Sequence, residues 1–310
     1  MLISIIVPCF NEQEVIPIFF DELEKTRKKI NTDFEYIFID DGSTDRTLDV
    51  IRSLSKVKNY VRFISFSRNF GKESALYAGL KASNGSLVTV MDADLQDPPE
   101  LLPQMIELIE TTDVDCVGTR RLNRKGEPPI RSLFAKTFYK LINKISDTEM
   151  IDGVRDYRLM TRQMVDSILE LKEYNRFSKG IFSWVGYKTI YISYENKERT
   201  KGKSSWTFWS LFKYSIDGII NFSETPLNIA SVFGVISCVF STIAMIFIII
   251  RYLIQGDPTV GWASIVTIIL FLGGIQLLGI GILGKYISKI FLETKNRPIF
   301  IVKETEKQDF

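Results

Sequence analysis

Two stretches without a single charged residue, Pro226 to Ile250 and Pro258 to Gly284, constrain this chain more than any other feature. Each exceeds the roughly 20 apolar residues that an α-helix needs to cross the hydrocarbon core of a bilayer. Helices of globular proteins ordinarily keep a polar face, so the pair reads as a helical hairpin through a membrane. Lys285, Lys289, Lys295 and Arg297 follow the second stretch, whereas the connection carries only Arg251 against Asp257. Basic residues stay on the cytoplasmic side, so the chain before and after the hairpin is expected in the cytoplasm, at the inner (plasma) membrane. Arg251, Tyr252 and Trp262 are typical boundary residues. Gly273, Gly274, Gly279, Gly281 and Gly284 allow close helix approach, which points to a homo-oligomer. Just upstream, Trp206 to Phe222 mixes Trp, Phe, Leu and Tyr with only Lys213 and Asp217 charged, the pattern of an amphipathic interfacial helix.

The residues before this anchor follow a different rhythm. Apolar runs Leu2 to Pro8, Phe34 to Ile39, Val61 to Phe66, Leu87 to Met91 and Val114 to Gly118 alternate with helical patterns, the first opening at Asn11 and running to about Ile30. Strands alternating with helices imply βαβ units and a mainly parallel, Rossmann-like α/β sheet. Thr189 to Tyr194 reads as a further short strand, and a helix is expected near Ser132 to Ile145. Ser43 or Thr44 is the expected cap of the second helix. The expected division is 1–205 for this domain, 206–225 for interfacial helices, 226–290 for the hairpin and 291–310 for a cytoplasmic tail. The first residues, Met1 to Val7, lack a basic start and read as a strand rather than a signal peptide.

Composition narrows the chemistry. The chain has no histidine, which excludes a Ser-His-Asp triad, a zinc-histidine site and a His base. A net charge of +2 gives no case for nucleic acid. Cys9, Cys116 and Cys238 are too scattered for a disulfide frame or a zinc knuckle. What remains is a set of loops at strand C-terminal ends, where open α/β sheets bind ligands. Asp92-Ala93-Asp94-Leu95-Gln96 follows the fourth strand. Two carboxylates one residue apart, with an amide oxygen next, form a hard donor set suited to Mg²⁺ or Mn²⁺ bridging a diphosphate.

Val7-Pro8-Cys9-Phe10-Asn11-Glu12, Asp40-Asp41-Gly42-Ser43-Thr44-Asp45, Arg68-Asn69-Phe70-Gly71-Lys72 and Asp92-Ala93-Asp94-Leu95-Gln96-Asp97-Pro98-Pro99 occur in that order. Together they resemble family-2 glycosyltransferases of the GT-A fold. With the two spans, the chain resembles the polyprenyl-phosphate branch: bactoprenol glucosyltransferases and dolichol-phosphate mannose synthases. The resemblance implies transfer of one hexose, glucose first among the candidates, from a UDP-sugar to undecaprenyl phosphate, with inversion. It implies that Pro8, Asn11, Glu12, Asp40, Asp41, Lys72 and Asp92 line the nucleotide-sugar pocket, and that Asp92, Asp94 and Gln96 hold the metal. Arg120 and Arg131 are implied as anion contacts. Arg199 and Lys203 belong to a basic loop that closes over phosphates, and Asp156 occupies the position of the fold's base. The acceptor is already an anion, so Asp156 is also read as an orienting group. Galactose, N-acetylglucosamine or a modified arabinose stay open as the sugar. The alternatives are a processive polysaccharide synthase, whose usual Gln-x-x-Arg-Trp motif is missing here, and a non-catalytic membrane scaffold on a transferase domain.

Overall fold

The computed structural model describes residues 1–121, 137, 139–140, 142–146, 151–195, 208–255, 261–306 and 308–309. In chain order the elements are β1 (Leu2–Cys9), α1 (Ile16–Arg27), β2 (Asp33–Asp40), α2 (Thr47–Val57), β3 (Val61–Phe66), α3 (Lys72–Ala82), β4 (Leu87–Val90), α4 (Leu102–Thr111), β5 (Cys116–Arg121) and β6 (Val154–Thr161). There follow α5 (Arg162–Glu170), α6 (Ser178–Trp184), β7 (Thr189–Tyr194), α7 (Phe208–Phe222), α8 (Thr225–Gln255), α9 (Trp262–Thr294), β8 (Val302–Thr305) and β9 (Gln308–Asp309). Residues 137, 139–140 and 142–145 are helical, and the rest of the helix expected near them lies outside the described residues.

The described strands form one sheet in the order β7-β5-β6-β4-β1-β2-β3-β8-β9. β4, β1, β2 and β3 run parallel, and β7 runs parallel to β5. Only β6 and β8 point the other way. The mainly parallel α/β sheet expected from the sequence is therefore present, with the addition of β6 between β4 and β5. The alternation along β1 shows why the sheet is buried on both faces. Ile3, Ile5 and Val7 join a core with Phe19 of α1, Ile51 of α2 and Met105 of α4. Ile6 joins the opposite core with Leu76 of α3, Met164 of α5 and Ile181 of α6. Helices thus cover both faces, as a largely parallel sheet requires.

Two helix starts differ from expectation. α1 begins at Ile16 rather than Asn11, because Asn11 takes a left-handed φ of 56° and the Glu12 carbonyl closes a turn with the N–H groups of Val15 and Ile16. Neither Ser43 nor Thr44 caps α2, which begins at Thr47; both are bonded instead to Asn11 across the loop. Asp45 Oδ1 accepts from the Thr47 N–H at 3.0 Å and takes over that duty.

α8 and α9 contain segments, Thr225–Ile248 and Ile268–Thr294, long and apolar enough to cross a membrane, and neither is buried in the protein. The cytoplasm-expected end of α9 is fastened to the domain. Lys289 pairs with Asp217 of α7 at 2.7 Å, and the Glu293 carboxylate accepts from the Tyr174 and Asn175 N–H groups at 3.0–3.1 Å. Residues 302–305, read from the sequence as tail, return to the sheet as β8 against β3. Arg52 grips Glu304 through two bonds, Arg62 holds Glu306 at 3.0 Å, and Phe300 stacks on Phe66 with ring centroids 4.9 Å apart.

Candidate active site

The C-terminal ends of β1, β2 and β4 meet at one edge of the sheet, and β6, running antiparallel, brings its N-terminal end to the same edge. Pro8 pairs with Ile39 near the ends of β1 and β2. Asn11 binds the neighbouring loop: its Oδ1 accepts from the Thr44 N–H at 2.9 Å, and its own N–H donates to Ser43 Oγ at 3.0 Å. The Glu12 N–H donates to Thr47 Oγ1 at 2.8 Å. Asp40 is buried, accepting from the Ser43 N–H at 3.1 Å and the Ser65 hydroxyl at 2.8 Å. Asp41 accepts from the Phe70 and Gly71 N–H groups, so it fixes the loop that precedes α3. Burial pushes the Asp41 carboxyl up to about 6, with help from the Asp40 charge and against the pull of those N–H groups. Gly42 sits between them at φ +67°, where a Cβ would lie 2.4 Å from the Arg68 carbonyl carbon. Only glycine permits that approach.

Lys72, the first residue of α3, is the centre of the arrangement. Its ammonium lies 2.7 Å from Asp92 Oδ1 and 2.6 Å from Asp156 Oδ2. One cation thus joins the loop after β4 to the start of β6. Burial works to lower the Lys72 ammonium, but the Asp156 and Asp92 charges outweigh it and hold it above its ordinary value. Burial likewise works to raise Asp156, and the charges of Lys72 and Lys179 outweigh it and hold the carboxyl well below the usual range. Asp156 Oδ1 is buried and has no hydrogen-bond partner among the described residues. α3 is held by the residue after Lys72: Glu73 accepts from the Ser178 N–H at 2.9 Å and its hydroxyl at 3.1 Å, tying α3 to the start of α6.

The acidic loop is cross-linked to its neighbours. Asp94 is 5% exposed and its Oδ1 accepts from the Gln96 N–H at 3.1 Å, across Leu95 at φ 57°. Gln96 Oε1 accepts from Arg121 at 3.0 Å. Asp97 accepts from Arg155 Nε at 2.8 Å and from the Tyr194 hydroxyl. Arg120 lies at the exposed end of β5 and donates from Nε to the Asp152 carbonyl at 3.0 Å. Arg131, Arg199 and Lys203 lie outside the described residues.

The structure therefore brings Lys72, Asp92, Asp94, Gln96 and Asp156 to one sheet edge. Sequence reasoning did not assign a role to Asp97, Arg121, Arg155 or Lys179. Asp97 carried a signal, since it ends the same acidic motif, and Arg155 precedes Asp156; Lys179 carried none.

Among the described residues no cluster of three or more His, Cys, Asp or Glu could by itself hold a metal ion. Mg²⁺ and Mn²⁺ do not require such a cage. They use one or two carboxylates and complete their shell with water and substrate phosphates. The hard oxygens of Asp92, Asp94 and Gln96 on one loop fit that mode.

Helices cover both faces of the sheet, an acidic loop and a lysine stand at its C-terminal edge, and the sequence match places this arrangement in the glycosyltransferase class. Residues 4–169 match the model of glycosyl transferase family 2, and the chain belongs to that family. The putative glycosyltransferase CsbB of Bacillus subtilis (strain 168) is 44% identical over 98% of this chain and 92% of its own length. The SfII prophage-derived bactoprenol glucosyl transferase of Shigella flexneri is 41% identical over 99% of both chains. The bactoprenol glucosyl transferase of Shigella phage SfV is 42% identical over 99% of this chain and 100% of its own. Among solved structures, glucosyl-3-phosphoglycerate synthase from Mycobacterium tuberculosis, in complex with Mn²⁺, UDP-glucose and phosphoglyceric acid, aligns at a TM-score of 0.48. It is 19% identical, over 71% of this chain and 77% of that one.

Proposed function

We propose that this glycosyltransferase moves one glucosyl group from UDP-glucose to a polyprenyl phosphate, undecaprenyl phosphate, at the cytoplasmic face of the membrane. The observation that carries this reading is full-length similarity to proteins named bactoprenol glucosyl transferase, at 41% and 42% identity. In this reading an acceptor phosphate oxygen attacks the glucosyl C1 from the side opposite UDP. The bond from C1 to the diphosphate oxygen breaks, its electron pair leaves with UDP, and the configuration inverts. Asp92, Asp94 and Gln96 would hold Mg²⁺ or Mn²⁺, which when bound supplies Lewis-acid neutralisation of the leaving diphosphate.

The remaining work falls to the chain's own groups. Pro8, Asn11, Glu12 and Asp40 border the nucleoside, while Asp41 keeps the loop before Lys72 in place. Asp156 has no proton to remove from an acceptor that is already ionised, so it acts by orienting Lys72. Lys72 keeps Asp92 and Asp156 at a fixed separation and adds positive charge beside the phosphates. Arg120, Arg131, Arg199 and Lys203 contribute further anion contacts. α8 and α9 form the membrane hairpin that keeps this site within reach of a lipid, and the assembly is a homo-oligomer.

The test is a transfer assay with the full chain in detergent, undecaprenyl phosphate, Mg²⁺ or Mn²⁺ and a panel of UDP- and GDP-sugars. The expected result is release of UDP together with a lipid heavier by one hexose. Transfer from a different donor only, or glucosylation of a soluble acceptor with the lipid untouched, overturns the corresponding half of the reading.

A further inference from the structure

We propose that Arg155 is a phosphate-contacting residue for the donor and that buried Asp97 is the positioning residue that aims it. This rests on the reading of a nucleoside-diphosphate sugar as donor.

Asp97 is 1% exposed. A carboxylate so far from water is retained only where it is paired and bonded. Its partners come from two separate elements: Arg155 at the start of β6, through Nε at 2.8 Å, and the Tyr194 hydroxyl at the end of β7. Among the described residues nothing donates to Asp97 Oδ2. The carboxylate therefore concentrates its bonds on one oxygen and fixes the guanidinium by one edge.

The fixed end accounts for one of the five N–H groups of Arg155. No other hydrogen bond from this guanidinium is found among the described residues, and its side chain keeps 22% exposure. Burial works to lower the guanidinium, and the Asp97 and then the Asp92 charges outweigh it. Asp92, whose charge acts on Arg155 after that of Asp97, is also the carboxylate that Lys72 holds at 2.7 Å. Lys72 and Arg155 are both electrostatic partners of Asp92, one from α3 and one from β6. A guanidinium held at Nε with its terminal NH₂ groups unengaged is a planar fork, the geometry that binds phosphate through paired bonds.

Geometry also decides which phosphate. Asp97 is three residues from Asp94 in the same loop, and the adjacent Gln96 is bound to Arg121 at 3.0 Å. Two consecutive side chains therefore lock this loop to β5, β6 and β7. Arg155 is held to the loop read as the diphosphate carrier.

The test uses the full chain in detergent and five proteins: wild type, Arg155→Gln, Arg155→Lys, Asp97→Asn and the double variant of Arg155→Gln with Asp97→Asn. Calorimetry measures binding of UDP, with GDP in parallel, in the presence of Mg²⁺. Loss of charge-assisted bonds weakens binding by about tenfold or more, and Arg155→Gln is expected to show that loss. In the transfer assay the donor KM should rise by the same factor while the acceptor KM stays within about twofold. Asp97→Asn should show a smaller rise in donor KM, and the double variant should lose no more than Arg155→Gln alone, because Asp97 acts through Arg155. Arg155→Lys should recover part of the affinity through charge without the fork.

Wild-type affinity for UDP in Arg155→Gln overturns the proposal. A shift in acceptor KM instead of donor KM overturns it as well. Losses that add in the double variant give Asp97 a separate, structural role and remove it as a positioning residue. Wild-type protein that binds neither UDP nor GDP refutes the donor reading itself, and the proposal falls with it.

Discussion

Asp92 and Asp156 share one ammonium, and that sharing separates two kinds of carboxylate in this site. Asp94 is expected to stabilise the departing diphosphate through a bound ion, a task whose removal costs several kcal/mol, or on the order of a thousandfold in rate. Asp94→Asn should therefore nearly abolish transfer, whereas Asp156→Asn should leave measurable activity with an altered dependence on acceptor. Initial rates against Mg²⁺, Mn²⁺ and lipid phosphate check this. Full activity of Asp94→Asn in chelator removes the metal role, and an Asp156→Asn variant that binds both substrates yet is equally dead restores a true base. A pH prediction follows from the clamp. Asp156 is depressed, so its stabilising contribution is complete above the ordinary carboxylate range and is lost only as pH falls through its lowered value. It adds no limb to a rate profile between pH 5 and 9. Lys72→Met removes the largest of the charges that oppose burial, while Lys179 and Arg158 remain, so the carboxyl should move up from its depressed value. Titration of the Asp156 carboxyl followed by NMR should stand higher in the variant than in wild type, and an unmoved titration would refute the clamp. Of these residues, Asp92, Asp94 and Asp156 were legible from motif alone. The bridging position of Lys72 was not, because it depends on α3 and β6 meeting 84 residues apart in sequence.

Elements were read from apolar runs, and the method failed where a strand carries the chemistry. β1, β2 and β4 are almost entirely buried and β3 alternates buried with half-buried positions; all four stand close to the ends expected from their apolar runs. β6 reads Val-Arg-Asp-Tyr-Arg-Leu-Met-Thr, and its charged residues hid it. Those charges are held inside: Arg155 lies on Asp97, Asp156 on Lys72, and Arg158 stacks 3.7 Å above the Phe182 ring. β8 was missed for another reason. Four residues beyond a long apolar helix have no periodicity of their own, and they become a strand only because β3 offers an unpaired edge. Glu304 and Glu306 hold it there by charge-assisted bonds to Arg52 and Arg62. Replacing both glutamates with alanine should lower unfolding stability by about 1–3 kcal/mol, a moderate figure because Arg52 is 39% exposed. Denaturant titration of the detergent-solubilised protein measures it, and an unchanged midpoint would mean that pairing to β3 alone secures the strand.

At the scale of the molecule, the charge-free runs announced two long helices, and 31- and 33-residue helices stand there. Their lengths were legible because a bilayer imposes a length, whereas their fastening to the domain through Asp217, Lys289 and Glu293 was not, since each is an ordinary charge in sequence. The hairpin reading makes a topological prediction. A cysteine at position 259, in Thr259→Cys with Cys238 replaced by Ser, should react with an impermeant thiol reagent applied to intact cells. Labelling only after lysis would reverse the orientation. The path of the chain has one more consequence. A ribosome makes β1 to β7 first, then both long helices, and only then β8 and β9. When β1 to β7 have already emerged, β3 still has a bare margin, and the strand that covers it is synthesised only after both apolar segments. Translation order thus makes β8 and β9 the last strands to join the sheet, and a nascent chain interrupted in either long helix carries an open strand as the mark of its incompleteness.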